Sequence, residues 1–161
     1  MSIAFLIVDM QKAYEKNRAF QSSIGDALES INHTSKIFRK NNLPVVIVQH
    51  EETGPEYEVM DSLVVSPTDI LVNKKYSNAF WKTDLKEILV GMGVEYLVIS
   101  GLAAEYCVLA TYNGALERGF KTSMLQNGLA GYSEDQITAM HRFRSIISIS
   151  ALEYICDSLL K

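Results

Sequence analysis

Ile3-Ala4-Phe5-Leu6-Ile7-Val8-Asp9-Met10-Gln11 is the stretch on which the fold turns. Six apolar residues in succession leave no polar alternation for a water-facing side, so the run predicts a strand buried on both faces. It ends abruptly in a carboxylate. The same signature recurs at Val45-Val46-Ile47-Val48, Tyr96-Leu97-Val98-Ile99 and Ile146-Ile147-Ser148-Ile149, with weaker versions at Asp69-Ile70-Leu71-Val72 and Thr122-Ser123-Met124-Leu125. About six strands follow.

Helical periodicity fills the gaps between them. Ile24, Ala27, Leu28, Ile31 and Phe38 share one helical face behind a Ser23 cap with Asp26 three residues on, and Asn41-Asn42-Leu43-Pro44 stops that helix. A second helix is predicted from near Thr83 to Gly91-Met92-Gly93, and a third from about Glu105 to Arg118 with Gly119 as its stop. Ser133-x-x-Gln136 and Ser150-x-x-Glu153 read as capping boxes that open two more. Strand–helix alternation implies right-handed crossovers and a parallel sheet covered on both faces. The expectation is an α/β protein, a three-layer α/β/α sandwich with a sheet of about six parallel strands in the order 3-2-1-4-5-6.

At roughly 100–200 residues per domain, 161 residues make a single domain over 1–161. Apolar types at 48% and charged types at 21% place the chain among globular proteins and away from disorder. With 15 basic against 19 acidic residues the net charge is −4, which gives no electrostatic case for nucleic acid or an anionic membrane. Ile3 to Val8 is far shorter than the roughly 20 residues of a membrane span and lacks the flanks of a signal peptide, so the expected location is cytoplasmic. Two cysteines, Cys107 and Cys156, in no CxxC pair, read as free thiols of a reducing compartment. Cys156 continues an apolar helical stripe with Ala151, Leu152, Ile155 and Leu159 and is assigned to the core.

In doubly wound sheets ligands bind beyond the carboxyl ends of the strands, where strand order reverses. The residues there are Asp9-Met10-Gln11, Gln49-His50-Glu51-Glu52, Asn73-Lys74-Lys75 and Ser100-Gly101-Leu102-Ala103-Ala104-Glu105-Tyr106-Cys107. Strands one and four are neighbours at the switch point, which sets Asp9 beside Cys107. Lys74 and Lys75 point to opposite sides of an extended chain, so only one can enter the site, and a one-residue slip exchanges them. Cys107 in the first turn of a helix, near a lysine ammonium, is expected to have a lowered pKa.

These segments resemble the isochorismatase-like cysteine hydrolases, the superfamily that includes nicotinamidases and N-carbamoylsarcosine amidase. The matches are Phe5-Leu6-Ile7-Val8-Asp9-Met10-Gln11; Lys74-x-x-x-Asn78-Ala79-Phe80 followed by Thr83 and Leu85; and Gly101-Leu102-Ala103-Ala104-Glu105-Tyr106-Cys107-Val108 with Thr111 and Ala115. The resemblance implies an isochorismatase-like, Rossmann-like fold and a triad of Asp9, Lys74 and Cys107. It also implies a cis peptide at Leu102–Ala103 and an oxyanion hole from the backbone N–H groups of Ala103 and Cys107. The implied chemistry is hydrolysis of a small amide through a thioester. Vinyl-ether hydrolysis by Asp9, and a retired enzyme kept as a small-molecule binding protein, are the alternatives.

Gln11, Tyr14, Gln49, His50, Trp81 and Tyr106 flank the triad segments and are the candidates for substrate contact, while Phe80 fits either core or pocket. Nicotinamidases carry an Asp-x-His and further histidines after strand two; Val48-Gln49-His50-Glu51-Glu52 lacks that spacing, so neither metal nor cofactor is expected. Ala104 stands where many members have threonine, and Asn127-Gly128 replaces a common Asp-Ala. The resemblance implies a homodimer or homotetramer. Pro55, Tyr57, Val59, Met60, Leu63, Val64 and Val65 give the 51–68 stretch apolar surface that such an interface would bury.

Overall fold

The first apolar run becomes β1 (Ser2–Val8), the axis of a sheet in the computed structural model, which describes residues 2–159. It pairs in parallel with β2 (Val45–His50) on one side and β4 (Val94–Gly101) on the other. β3 (Ile70–Lys74) extends the sheet beyond β2, and β5 (Lys121–Leu129) and β6 (Ile146–Ile147) extend it beyond β4. The order is β3-β2-β1-β4-β5-β6 and every pairing is parallel, which is the doubly wound arrangement expected from the alternation of patterns.

Side-chain alternation along β1 divides the interior. Phe5 and Ile7 meet one apolar layer, with Ile24, Ala27, Ile31 and Phe38 of α2 (Ile24–Lys40) and Leu152 and Cys156 of α6 (Ile149–Ser158). Ala4, Leu6 and Val8 meet the other, with Leu85 and Leu89 of α3 (Leu85–Gly91), Ala115 of α4 (Leu109–Glu117) and Met140 of α5 (Glu134–Phe143). Each side chain buried in this way contributes about 1.5–3 kcal/mol, so the all-apolar run is the central stabilising element of both layers. A short α1 (Lys12–Glu15) follows β1. Among the described residues no helix is long and apolar enough to cross a membrane.

Several local expectations change. The capping box at Ser150 is displaced: Ser148 caps α6, its Oγ accepting from the Ala151 N–H at 3.2 Å, because β6 ends at Ile147 and Ile149 already belongs to the helix. The first box holds, with Ser133 Oγ accepting from Gln136 N–H. Ser23 makes no side-chain cap; its hydroxyl accepts from the Gly131 N–H at 3.3 Å, tying the loop after β5 to the start of α2. The apolar residues of 51–68 are spent only in part inside the chain. The Met60 N–H donates to Met10 O and the Lys12 N–H to Glu58 O, both at 3.0 Å, so the segment folds back over α1. Met60 and Leu63 are buried, Tyr57 and Val59 are half-buried, and Pro55, Val64 and Val65 stay exposed.

Gly101 lies opposite Val8 in the β1–β4 register with φ +109°, and a Cβ at this position would run into the Val8 backbone, lying 2.7 Å from its nitrogen. Backbone of a central strand cannot yield as a flexible side chain can. Gly101→Ala is expected to lower stability by about 3 kcal/mol or more, read as a reduced denaturant midpoint with an unchanged slope.

Candidate active site

Alternation would aim Asp9 into the layer of Phe5 and Ile7. A left-handed φ of +52° instead turns the chain as it leaves β1. Such a conformation costs a non-glycine residue roughly 1–2 kcal/mol, less for Asp or Asn than for other types. The turn is pinned by the Asp9 N–H donating to Val48 O and the Gln11 N–H donating to Asp9 O, both at 2.9 Å. The carboxylate is 1% exposed, and its Oδ2 lies 2.8 Å from Lys74 Nζ.

Lys74 reaches it by strand parity. Val72 and Lys74 face inward from β3 while Leu71 and Asn73 face solvent, so the lysine is buried and its neighbour Lys75 is exposed beside Glu51 at 3.6 Å. The choice between the two lysines is thereby made by the pleat. Lys74 Nζ also lies 3.4 Å from Cys107 Sγ and 3.4 Å from His50 Nδ1.

Cys107 sits in a π-helical turn, Ala104–Val108, where the sequence predicted an uninterrupted α-helix. The Val108 N–H donates to Ala103 O across five residues, and the Leu109 N–H does the same to Ala104 O before α4 begins. One extra residue is thus accommodated at the helix start, a distortion that occurs mainly at functional sites. The turn is anchored by the Ala104 N–H donating to Ala130 O at 2.8 Å and the Tyr132 N–H donating to Glu105 Oε1 at 2.9 Å. The Leu102–Ala103 peptide is cis, and among the described residues the Ala103 N–H has no hydrogen-bond acceptor.

The electrostatics reverse the expected sign for Cys107. Burial pushes its thiol up to about 11, the Asp9 carboxylate adds to the rise, and Lys74 opposes it only in part. Desolvation and the Asp9 charge together outweigh the Lys74 ammonium. Sulfur is therefore a protonated thiol at neutral pH, not a resting thiolate.

Tyr14, half-buried, is pushed up to about 12 by burial and then by the Asp9 and Cys107 charges. Glu52 acts on Tyr14 as well and hydrogen-bonds Tyr57, raising that phenol. Gln49 lies farther out, its amide 3.5 Å from Tyr57 O. Trp81 is 51% and Tyr106 61% exposed. Tyr106 stacks edge-on against Tyr132, which continues through Phe20 to Tyr14 as a row of aromatic contacts. Tyr132 and Tyr57 carry no spacing signal in the sequence; both arrive through loops whose course only the fold reveals.

One candidate for substrate contact is reassigned, and the choice between core and pocket at Phe80 is made. Gln11 is fully buried, and both amide hydrogens are spent, on His50 O at 3.0 Å and Tyr57 O at 2.5 Å, while its oxygen accepts from the His50 N–H at 2.9 Å. It clamps the end of β2 and has no donor left for a substrate. Phe80 is core, stacked on Phe120. A cavity of about 1080 Å³ opens elsewhere, along α2 and α6, and includes none of the triad. Among the described residues no three His, Cys, Asp or Glu side chains are grouped to hold a metal ion.

An acid, a lysine and a thiol thus meet at the switch point of a doubly wound sheet, where ligands bind in this class of fold. The chain belongs to the isochorismatase family, whose isochorismatase domain model matches residues 3–151. A Bacillus subtilis (strain 168) relative, the uncharacterized isochorismatase family protein YrdC, is 24% identical over 157 residues, covering 91% of this chain and 84% of its own length. Among solved structures, N-carbamoylsarcosine amidase from Thermoplasma acidophilum superposes with a TM-score of 0.82 at 22% identity, covering 92% of this chain and 95% of the other. A cysteine hydrolase from Pseudomonas syringae pv. phaseolicola 1448A gives 0.85 at 20% identity, covering 97% and 92%. This chain is accordingly an isochorismatase-like hydrolase.

Proposed function

We propose that the protein is a metal-independent cysteine amidohydrolase acting on a small carboxamide, with Cys107 as nucleophile, Asp9 as general base and acid, and Lys74 as their electrostatic partner. The observation that carries this reading is the buried ammonium 2.8 Å from Asp9 and 3.4 Å from Cys107 Sγ, beside a second Asp9 oxygen, Oδ1, that is buried with no hydrogen-bond partner among the described residues. An orphaned carboxylate oxygen costs roughly 1–3 kcal/mol or more, and substrate or thiol hydrogen bonds would recover it.

Because the thiol is protonated at rest, the base must act in the step that makes the C–S bond. Asp9 takes the Sγ proton as sulfur attacks the carbonyl carbon, and the carbonyl electrons move to oxygen. The Ala103 N–H and the Cys107 N–H are the donors proposed for that oxyanion. Collapse breaks the C–N bond, Asp9 returns its proton to the departing nitrogen, and ammonia or an amine leaves. Water then adds to the thioester with Asp9 again as base, the C–S bond breaks, and sulfur recovers its proton as the acid is released. Lys74 offsets the negative charge that Asp9 and sulfur would otherwise share.

The rim favours a neutral amide over an anionic substrate. Glu51, Glu52, Glu56, Glu58 and Asp61 fall within residues 51–61 with no basic residue among them. Nearby Lys75 and Lys12 are paired with Glu51 and with Glu58 and Asp61. An anionic substrate would meet repulsion from these carboxylates.

Ammonia release across a panel of small carboxamides tests the reading. The expected result is turnover with at least one amide, a thioester mass on Cys107 after acid quench, and activity undiminished by EDTA. Turnover confined to a vinyl ether, or lost with a metal and restored by it, would assign a different chemistry.

A further inference from the structure

We propose that His50 is a positioning residue for Lys74, and that its neutral Nε2–H tautomer fixes the ammonium against Cys107; this rests on the triad reading above. An ammonium has three N–H donors. Lys74 Nζ, with no solvent exposure, has Asp9 Oδ2 at 2.8 Å, Cys107 Sγ at 3.4 Å and His50 Nδ1 at 3.4 Å. The third donor therefore goes to a ring nitrogen that can accept only when unprotonated.

The backbone that carries the imidazole is held on both sides. The β2–β3 register sets His50 directly opposite Lys74. Its backbone N–H and C=O are both taken by the amide of Gln11, at 2.9 and 3.0 Å, which explains why a glutamine with no solvent exposure follows Asp9 by two residues. With Nδ1 facing the ammonium, the ring proton belongs on Nε2, which looks toward Glu52 Oε1 at 3.8 Å. Glu52, His50 and Lys74 thus form a polar line from the rim to the thiol. Without the imidazole, one buried N–H of Lys74 has no partner, and the ammonium is free to tilt fully onto Asp9, away from sulfur. His50 so acts on the reaction through Lys74 and not through the substrate.

Leucine at position 50 fills the volume without an acceptor, and asparagine restores an acceptor at the reach of Nδ1. His50→Leu is expected to lower kcat about 10–100-fold with KM little changed, and His50→Asn to recover most of the loss. Long-range proton–nitrogen spectra of the wild-type protein at pH 8 are expected to show the His50 proton on Nε2, and Lys74→Met to give a mixture of tautomers. A proton on Nδ1 in the wild type, a loss carried by KM alone, or His50→Leu as active as His50→Asn would each overturn the assignment. The tautomer readout needs no substrate. A correct tautomer in a protein that hydrolyses no amide would defeat the amidohydrolase reading and leave the positioning of Lys74 standing.

Discussion

Cys107→Ala is expected to lower kcat by about 10⁴-fold or more while the protein folds and binds substrate as before, because the covalent path disappears with the sulfur. The side chain is small and only partly buried, so the stability lost at neutral pH is about 1 kcal/mol or less. The same variant reports the thiol's state. The folded thiol titrates at about 11 against an unperturbed 9.0, so the folded state holds a proton that the unfolded chain gives up first. The stabilising contribution of the neutral thiol is complete below about pH 9 and is lost as pH rises toward 11. Tyr14, pushed from 10.0 to about 12, acts in the same direction at higher pH. Denaturant midpoints should therefore fall across this window in the wild type and fall less in Cys107→Ala. In parallel, iodoacetamide labelling of Cys107 should be slow at pH 7 and accelerate about tenfold per pH unit up to pH 11. Fast labelling at pH 7 would show a resting thiolate and remove the need for a base in the attack.

That outcome matters for how the site is read from sequence. Helix start and adjacent lysine were both legible as stabilisers of a thiolate, and both are present. What the sequence could not convey is that Lys74 is already paired with Asp9 and that the sulfur is desolvated, since both depend on side-chain depth and not on spacing. The sheet order was legible because β1 is apolar from Ile3 to Val8 and must be central; the choice of Lys74 over Lys75 followed from strand parity once β3 was in place. The π turn was not legible: Glu105 to Arg118 has ordinary helical periodicity, and the extra residue is imposed by tertiary anchors at Ala130 and Tyr132. Gln11 misled for a related reason. A polar residue two positions after the Asp9 carboxylate reads as substrate contact, whereas the fold turns it inward to hold the end of β2.

Asp9→Asn separates the catalytic and structural burdens of one carboxylate. Asparagine is isosteric and tolerates the left-handed backbone at φ +52°, so the turn after β1 is retained. The amide cannot take the thiol proton, and kcat should fall about 10²–10⁴-fold, the range expected for a lost general base. Stability should fall too, by about 3–5 kcal/mol, because the Lys74 ammonium stays buried without its counter-charge. Adding Lys74→Met removes the stranded charge, so the double variant should regain most of the lost stability and remain inactive, whereas Lys75→Ala, on the solvent side of the same strand, should change neither property. Midpoints of denaturation for the two single variants and the double variant close the cycle. A coupling energy near zero would mean that Asp9 and Lys74 do not stabilise one another, and the buried ion pair would then have no part in holding the carboxylate beside the thiol.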